Sequence, residues 1–143
     1  MILTFDVQGI PAPKGSLRHV GGGRLVEQVK ASRPWMNKVR AAALLAAADC
    51  GWTHVGQGVR VTLELVVPRP KSVRRPMPVK RSAGDLDKHC RSVLDALTAD
   101  AKHGLLGVLT DDSAVVDLVA SKRYPSGERP FIGAVITIEE VAT

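Results

Sequence analysis

Aromatic residues and cysteines are both scarce in this sequence. Phe, Trp and Tyr make up 3% of the chain, which argues against a single-strand nucleic-acid binder built on rows of stacking rings. Cys50 and Cys90 form no CxxC pair, and the four histidines show no zinc-ligand spacing. A structural zinc site is therefore not expected, and two isolated thiols are compatible with a reducing cytoplasm.

Long apolar runs are missing as well. No segment approaches the roughly 18 consecutive apolar residues that a membrane span requires. The N-terminus has no basic stretch followed by an apolar one, the pattern typical of a signal peptide. We therefore expect a cytoplasmic protein with no membrane partner.

The chain carries an excess of positive charge. Lys and Arg number 20 against 14 Asp and Glu, which gives a net charge of +6 and a pI near 9.7. This balance favours nucleic acid or another polyanion as the partner. At 143 residues, we expect one domain, residues 1–143, with enough chain to bury a core.

Hydrophobic periodicity predicts an α+β fold, with a mostly antiparallel mixed sheet and two main helices packed on it. Strands are predicted near residues 2–8, 59–67, 116–120 and 132–138 from the alternation of apolar and polar side chains. A hairpin is predicted where Leu17–Val20 and Arg24–Val29 flank Gly21–Gly23. Helices are predicted from about Ser32 to Cys50 and from about Leu86 to Ala101, where apolar residues recur at helical spacing.

Residues 68–83 form a basic segment rich in proline, in which no acidic residue occurs. Because proline disfavours both helix and sheet, we expect an extended loop within the single domain. A solvated linker is the simpler interpretation, but so many cations without an acid favour contact with DNA phosphates. The candidate DNA-binding residues, including one lysine from the loop at 9–15, are Lys14, Arg69, Lys71, Arg74, Arg75, Lys80 and Arg81.

An acidic motif, Asp85-Leu86-Asp87, follows this basic segment directly and opens the second helix. Asp111 and Asp112 form a second acidic pair before a strand. Carboxylates beside a basic surface would repel a polyanion unless a cation lay between them, and magnesium prefers oxygen ligands. The motif therefore indicates metal-assisted chemistry on a phosphodiester. The alternative is that both acids simply favour the positive end of the helix dipole, with nothing bound.

The combined pattern resembles the RusA family of Holliday-junction resolvases, which is widespread in bacteriophages and prophages. The resemblance rests on the Gly-x-Pro-x-Pro-Lys-Gly loop at 9–15, Asp85-Leu86-Asp87, Leu94-Asp95-Ala96-Leu97 and Asp111-Asp112. It spans nearly the whole chain. It implies a homodimeric endonuclease that nicks four-way DNA junctions symmetrically with Mg²⁺, for which Mn²⁺ is the alternative ion.

The resemblance also implies roles for individual residues. Asp85, Asp87 and Asp112 match the essential carboxylates that bind metal. Arg91 stands where the family usually has a catalytic lysine, and an arginine, which is always charged, can stabilise charge but not donate a proton. Lys88 could take over part of that work.

Asp111 is interpreted as a turn residue or as a residue that supports a metal ligand without binding the metal, and Asp95 as the partner of Arg91 one turn away on the helix.

Two other functions are compatible with the same residues. A non-catalytic basic DNA-binding protein would use the acids only at the helix terminus. A metal-dependent nuclease for other branched nucleic acids would share the site but not the substrate.

Overall fold

A computed structural model describes residues 1–15, 17–19, 25–27 and 31–142. The strands are β1 Ile2–Gln8, β2 Leu17–His19, β3 Leu25–Glu27, β4 Val59–Val66, β5 Val115–Arg123 and β6 Gly133–Glu140. The α-helices are α1 Ser32–Cys50 and α2 Leu86–Leu97, and short 3-10 helices occur at Arg81–Ala83, Ala101–His103 and Asp112–Ala114. This order confirms the predicted sequence of elements.

The main sheet has four strands in the order β1-β6-β4-β5. β6 pairs antiparallel with both β1 and β4, whereas β4 and β5 are parallel. The predicted α+β class and mostly antiparallel mixed sheet are confirmed. β2 and β3 pair antiparallel as the predicted hairpin, and its predicted tip, Gly21–Gly23, lies outside the described residues.

One face of the sheet forms the hydrophobic core with the two helices. Alternate residues of β1, Leu3, Phe5 and Val7, are buried, as their spacing predicted. Against them pack the apolar stripes of the helices, which include Trp35 of α1 and Leu97 of α2. The helix stripe is shorter than predicted, because α2 ends at Leu97 and the 3-10 turn that begins at Ala101 is exposed.

The start of β5 departs from simple alternation. The register between β4 and β5 shifts between Val59 and Arg60, so that Val59 lies opposite Val115 and Arg60 opposite Asp117. A bulge of this kind leaves the extra residue unpaired. Val116, beside this shift, is 59% exposed, and Leu118, which the predicted alternation placed on the same face as Val116 and Ala120, is also exposed at 44%.

The connection from β4 to β5 positions the residues of interest. It runs through the basic segment and α2, and because β4 and β5 are parallel, α2 must return along the sheet. The beginning of α2 consequently lies near the end of β5, and the end of α2 near its beginning. No helix in the described part of the chain is long and apolar enough to cross a membrane.

Candidate active site

The Asp85-Leu86-Asp87 motif forms the start of α2, as predicted. Asp85 is the N-cap residue, with an extended backbone (φ −75°, ψ 135°), and Asp87 lies in the first turn. The Asp85 side chain makes no capping hydrogen bond, and its carboxylate is 63% exposed and 3.6 Å from Lys88 Nζ. The carboxylate is thus available to a ligand, although the helix dipole still favours its negative charge.

Two further charged side chains accompany Asp85. Asp87 and Arg91 are both exposed, and neither forms an ion pair with another described residue. The buried thiol of Cys90 lies beneath them; burial, with a smaller contribution from the charge of Asp87, raises its pKa. We call Asp85, Asp87, Lys88 and Arg91 the DLD group.

The second acidic pair is arranged by a one-turn 3-10 helix. Asp111 is the N-cap residue of this helix, and its Oδ1 accepts a 2.9 Å hydrogen bond from Ser113 N. That bond is the main reason why the pKa of Asp111 is lowered. The predicted turn role of Asp111 is confirmed.

Asp112 lies in a more negative environment. Asp112 is exposed; a hydrogen bond shared with Asp111, then a small loss of solvation and the charges of Asp111 and Asp95, raise its pKa. Asp95, Asp111 and Asp112, here called the cleft acids, line one side of a cleft of about 710 Å³. α1 contributes Arg33, Met36 and Asn37 to the cleft, so positive and negative side chains both line it.

The DLD group and the cleft acids lie at opposite ends of α2. Helical rise is about 1.5 Å per residue, so Asp95 lies about 15 Å along the axis from Asp85. Asp112 interacts electrostatically with Asp95, and the cleft is not lined by Asp85 or Asp87. Within the described ranges, no three carboxylate, histidine or cysteine side chains form a group that could hold one metal ion.

The loop at 9–15 lies along α2, between these two acid groups. Lys14 N donates to Lys88 O at 3.1 Å, and Lys14 Nζ forms a 2.6 Å ion pair with Asp95 Oδ2. The interpretation of Asp95 as the partner of Arg91 is therefore wrong. Sequence spacing favoured a partner on the same helix, but a lysine 81 residues away is brought to it by tertiary packing. Whether Lys14 also contacts DNA stays a prediction.

Arg40 of α1 joins the end of α2 to the segment before the cleft acids. Its guanidinium donates to Asp95 O (2.9 Å), Thr98 O (2.7 Å) and Leu106 O (2.6 Å). The two carbonyls from residues 95 and 98 lie at the end of α2, where backbone acceptors have few helical partners; Asp95 O also accepts a long hydrogen bond, 3.4 Å, from Thr98 N. Arg40 is therefore a structural residue of the site, which the sequence pattern alone did not indicate.

Replacing Arg40 with methionine is expected to destabilise the protein by about 1.5–3 kcal/mol, the range for hydrogen bonds that involve a charged group. Urea denaturation followed by circular dichroism measures the change. Arg33→Met is the matched control, because Arg33 is an exposed arginine on the same helix. Equal stability of the two variants would contradict the role given to Arg40.

Residues 68–80 of the basic segment contain neither helix nor strand, as predicted. The end of the segment differs from the prediction, because Arg81–Ala83, which follow its last proline, form a one-turn 3-10 helix. Arg69 organises it: its guanidinium lies over the Tyr124 ring (5.4 Å to the centroid) and donates to the carbonyls of Val73, Arg74 and Arg75. The other candidate cations are exposed and enter no ion pair among the described residues; they are Lys71, Arg74, Arg75, Lys80 and Arg81. We call these five residues the basic arm.

The geometry thus combines an exposed acid pair at the start of α2, the basic arm leading into it, and a second acid group near the other end of the same helix. The family model for endodeoxyribonuclease RusA matches residues 6–139, a range that includes all three. The chain belongs to the RusA family.

Membership of the RusA family confirms the resemblance seen in the sequence and indicates an endodeoxyribonuclease that resolves Holliday junctions. No curated protein matches the chain. The metal-binding and catalytic roles of Asp85, Asp87, Asp112, Lys88 and Arg91, and the DNA contacts of the basic arm, stay predictions.

Proposed function

We propose that this RusA-family protein is a magnesium-dependent endonuclease that resolves four-way DNA junctions by paired symmetric nicks, in DNA recombination and repair in the cytoplasm. One observation carries the proposal. The carboxylate of Asp85 is exposed and makes no capping hydrogen bond, and it comes directly after the basic arm, whose cations have no acidic partner among the described residues. The cations attract the phosphates of DNA, whereas the carboxylates repel them. A cation between carboxylate and phosphate resolves that conflict.

The carboxylates of the site suit magnesium, which takes oxygen ligands and keeps several of its waters. The neighbouring charges of Asp111 and Asp95 contribute to the raised pKa of Asp112, and a bound cation would offset that repulsion. Asp85 and Asp87 would hold the ion at the start of α2. When bound, it would supply an activated water and neutralise charge on the phosphate.

The remaining charged side chains of the DLD group would act on the phosphate directly. Arg91 is exposed one turn after Asp87 and would stabilise negative charge that develops on the phosphoryl oxygens. Lys88 Nζ lies 3.6 Å from a carboxylate oxygen of Asp85 and would take over part of the work of the family's lysine, since an ammonium group can donate a proton and arginine cannot.

A homodimer is part of the proposal for two reasons. A four-way junction has approximate two-fold symmetry, so two symmetric nicks need two sites related by that symmetry. Within one chain, Asp112 also lies far from Asp85 and Asp87, at a distance of most of the length of α2. A metal site that uses all three carboxylates would therefore need Asp112 from a second copy.

The basic arm is expected to set the salt dependence of DNA binding. For duplex DNA, each phosphate that a protein neutralises adds about 0.9 to the steepness of log K against log salt. We expect Arg75→Gln to make the slope for a four-way junction shallower by about this amount, as measured by fluorescence anisotropy from low to moderate salt.

Arg60→Gln is the control for net charge in this experiment. It removes the same charge, but Arg60 is already paired with Asp117 and Glu139 on the sheet. A slope that changes equally in both variants would show that overall charge, and not the basic arm, governs binding.

Strand-resolved cleavage tests the proposed function. A junction labelled on each strand in turn is incubated with Mg²⁺, with Mn²⁺, and with EDTA followed by excess Mg²⁺. We expect nicks at symmetric positions on opposite strands, absent in EDTA and restored by the metal. Cleavage of a DNA flap or a branched RNA in preference to the junction would indicate the other nuclease function. Tight binding without cleavage would indicate a binding protein.

A further inference from the structure

Two backbone carbonyls immediately before Asp85 are each bound by a side chain from a different element. Ala83 O accepts a hydrogen bond from His89 Nε2 of α2 at 2.7 Å, and Gly84 O accepts one from Lys122 Nζ of β5 at 2.6 Å. We propose that His89 and Lys122 are positioning residues that fix the direction in which the chain enters Asp85 and Asp87. This inference rests on the proposed function, since it assigns the two residues to the same site.

The environment of His89 supports a specific role for its ring. Because a carbonyl oxygen can only accept, Nε2 is the donor in this hydrogen bond. The side chain is fully buried, and Nδ1 has no partner among the described residues. A buried polar atom without a partner destabilises a protein. An apolar side chain would avoid that cost, so the bond to Ala83 O is the feature that the histidine supplies.

Lys122 is unusual in a similar way. It lies opposite Leu65 in the strand register, on the face of the sheet that packs against the helices, and it is half-buried. Its ammonium group binds a neutral carbonyl, and no ion pair between described residues includes it. β5 begins directly after the 3-10 turn of Asp112 and ends just after Lys122, so this one strand connects the cleft acids to the backbone beside the DLD group.

Gly84 allows both bonds to form. Its backbone has φ +83°, a conformation that side chains disfavour. An added Cβ would lie 2.7 Å from His89 Nε2 and 2.9 Å from Pro13 Cγ. The basic arm ends just before Ala83, so these contacts lie between the proposed DNA-binding segment and the proposed catalytic carboxylates.

The test compares variants that remove each hydrogen bond with variants that keep a donor. Lys122→Met and His89→Leu are expected to lower kcat for junction cleavage by about 10–100-fold, the usual cost of losing a group that orients a metal ligand. KM and junction affinity in EDTA should stay within about twofold of the wild-type values.

Lys122→Arg and His89→Gln, which keep a donor, should recover most of kcat. Lys102→Met, which replaces an exposed lysine elsewhere, should match wild type. All assays are run below the onset of unfolding of every variant.

Amide hydrogen exchange of residues 84–88 gives a readout that needs no activity. Exchange is expected to be faster in Lys122→Met than in Lys122→Arg. If Lys122→Met exchanged faster but kept the wild-type kcat, the positioning role would be overturned. It would also be overturned if Lys122→Met lost kcat while its exchange stayed unchanged. Absence of cleavage by the wild type would instead refute the proposed function. In that case, unchanged exchange in Lys122→Met would also overturn the positioning role of Lys122.

Discussion

Replacing Asp85 with asparagine is expected to slow junction cleavage by at least about 100-fold while junction binding is kept or becomes tighter. The rate falls because asparagine cannot supply the charge that holds a cation against the phosphate, and losing one group that stabilises transition-state charge commonly costs about 10²–10³-fold. Binding persists because a charge that repels DNA has been removed. Single-turnover cleavage and anisotropy binding in the same buffer measure the two effects.

The structure indicates that Asp85→Asn changes the charge of the site without disturbing the fold. The side chain is exposed and does not cap its own helix, so little change in stability is expected. Asp49→Asn removes an exposed carboxylate near the end of α1 and serves as the control for net charge. Wild-type cleavage by Asp85→Asn would rule out a catalytic carboxylate at this position. Loss of binding would count against the proposed electrostatic role.

Replacing Gly107 with alanine is expected to destabilise the protein by about 1–3 kcal/mol or more, as overpacking against a rigid neighbour does. An added Cβ would lie 2.3 Å from Ala99 N and 2.4 Å from the carbonyl carbon of Thr98. These are backbone atoms at the end of α2 and cannot rotate away. The segment from Gly107 to Asp112 would have to move, and with it the cleft acids.

Urea denaturation and junction cleavage at a temperature where the variant is folded measure both consequences. Gly127→Ala is the matched control, because nothing lies within 4 Å of the added Cβ and Gly127 does not have a positive φ. We expect Gly127→Ala to unfold at the same urea concentration as wild type. Equal stability of the Gly107 and Gly127 variants would show that the connection before the cleft acids is free to shift.

The features that could be predicted from sequence are those set by neighbours along the chain. Alternation in Leu3, Phe5 and Val7 identified β1, because a strand buries every second side chain. The position of Asp85 at the start of α2 followed from the glycine before it and the apolar stripe after it. The proline-rich basic segment could be excluded from helix and sheet for an equally local reason.

The arrangement of the site could not be predicted, because it depends on which strands are neighbours. The parallel pairing of β4 with β5 makes α2 run back along the sheet, so Asp112 lies near Asp95 and not near Asp85. The pairing of Lys14 with Asp95 and the bond from Lys122 to Gly84 O cross 81 and 38 residues of sequence. Neither has a spacing rule, and only the packed structure reveals them.

Cleavage of a synthetic mobile four-way junction in Mg²⁺ tests the central claim most directly, with wild type and Asp87→Asn compared beside a linear duplex. We predict paired symmetric nicks by the wild type in the junction alone, and none by Asp87→Asn, which should still bind it. Tight junction binding by the wild type without nicks, in either Mg²⁺ or Mn²⁺, would contradict the catalytic account. Arg91→Lys would then be the first variant to examine for restored cleavage.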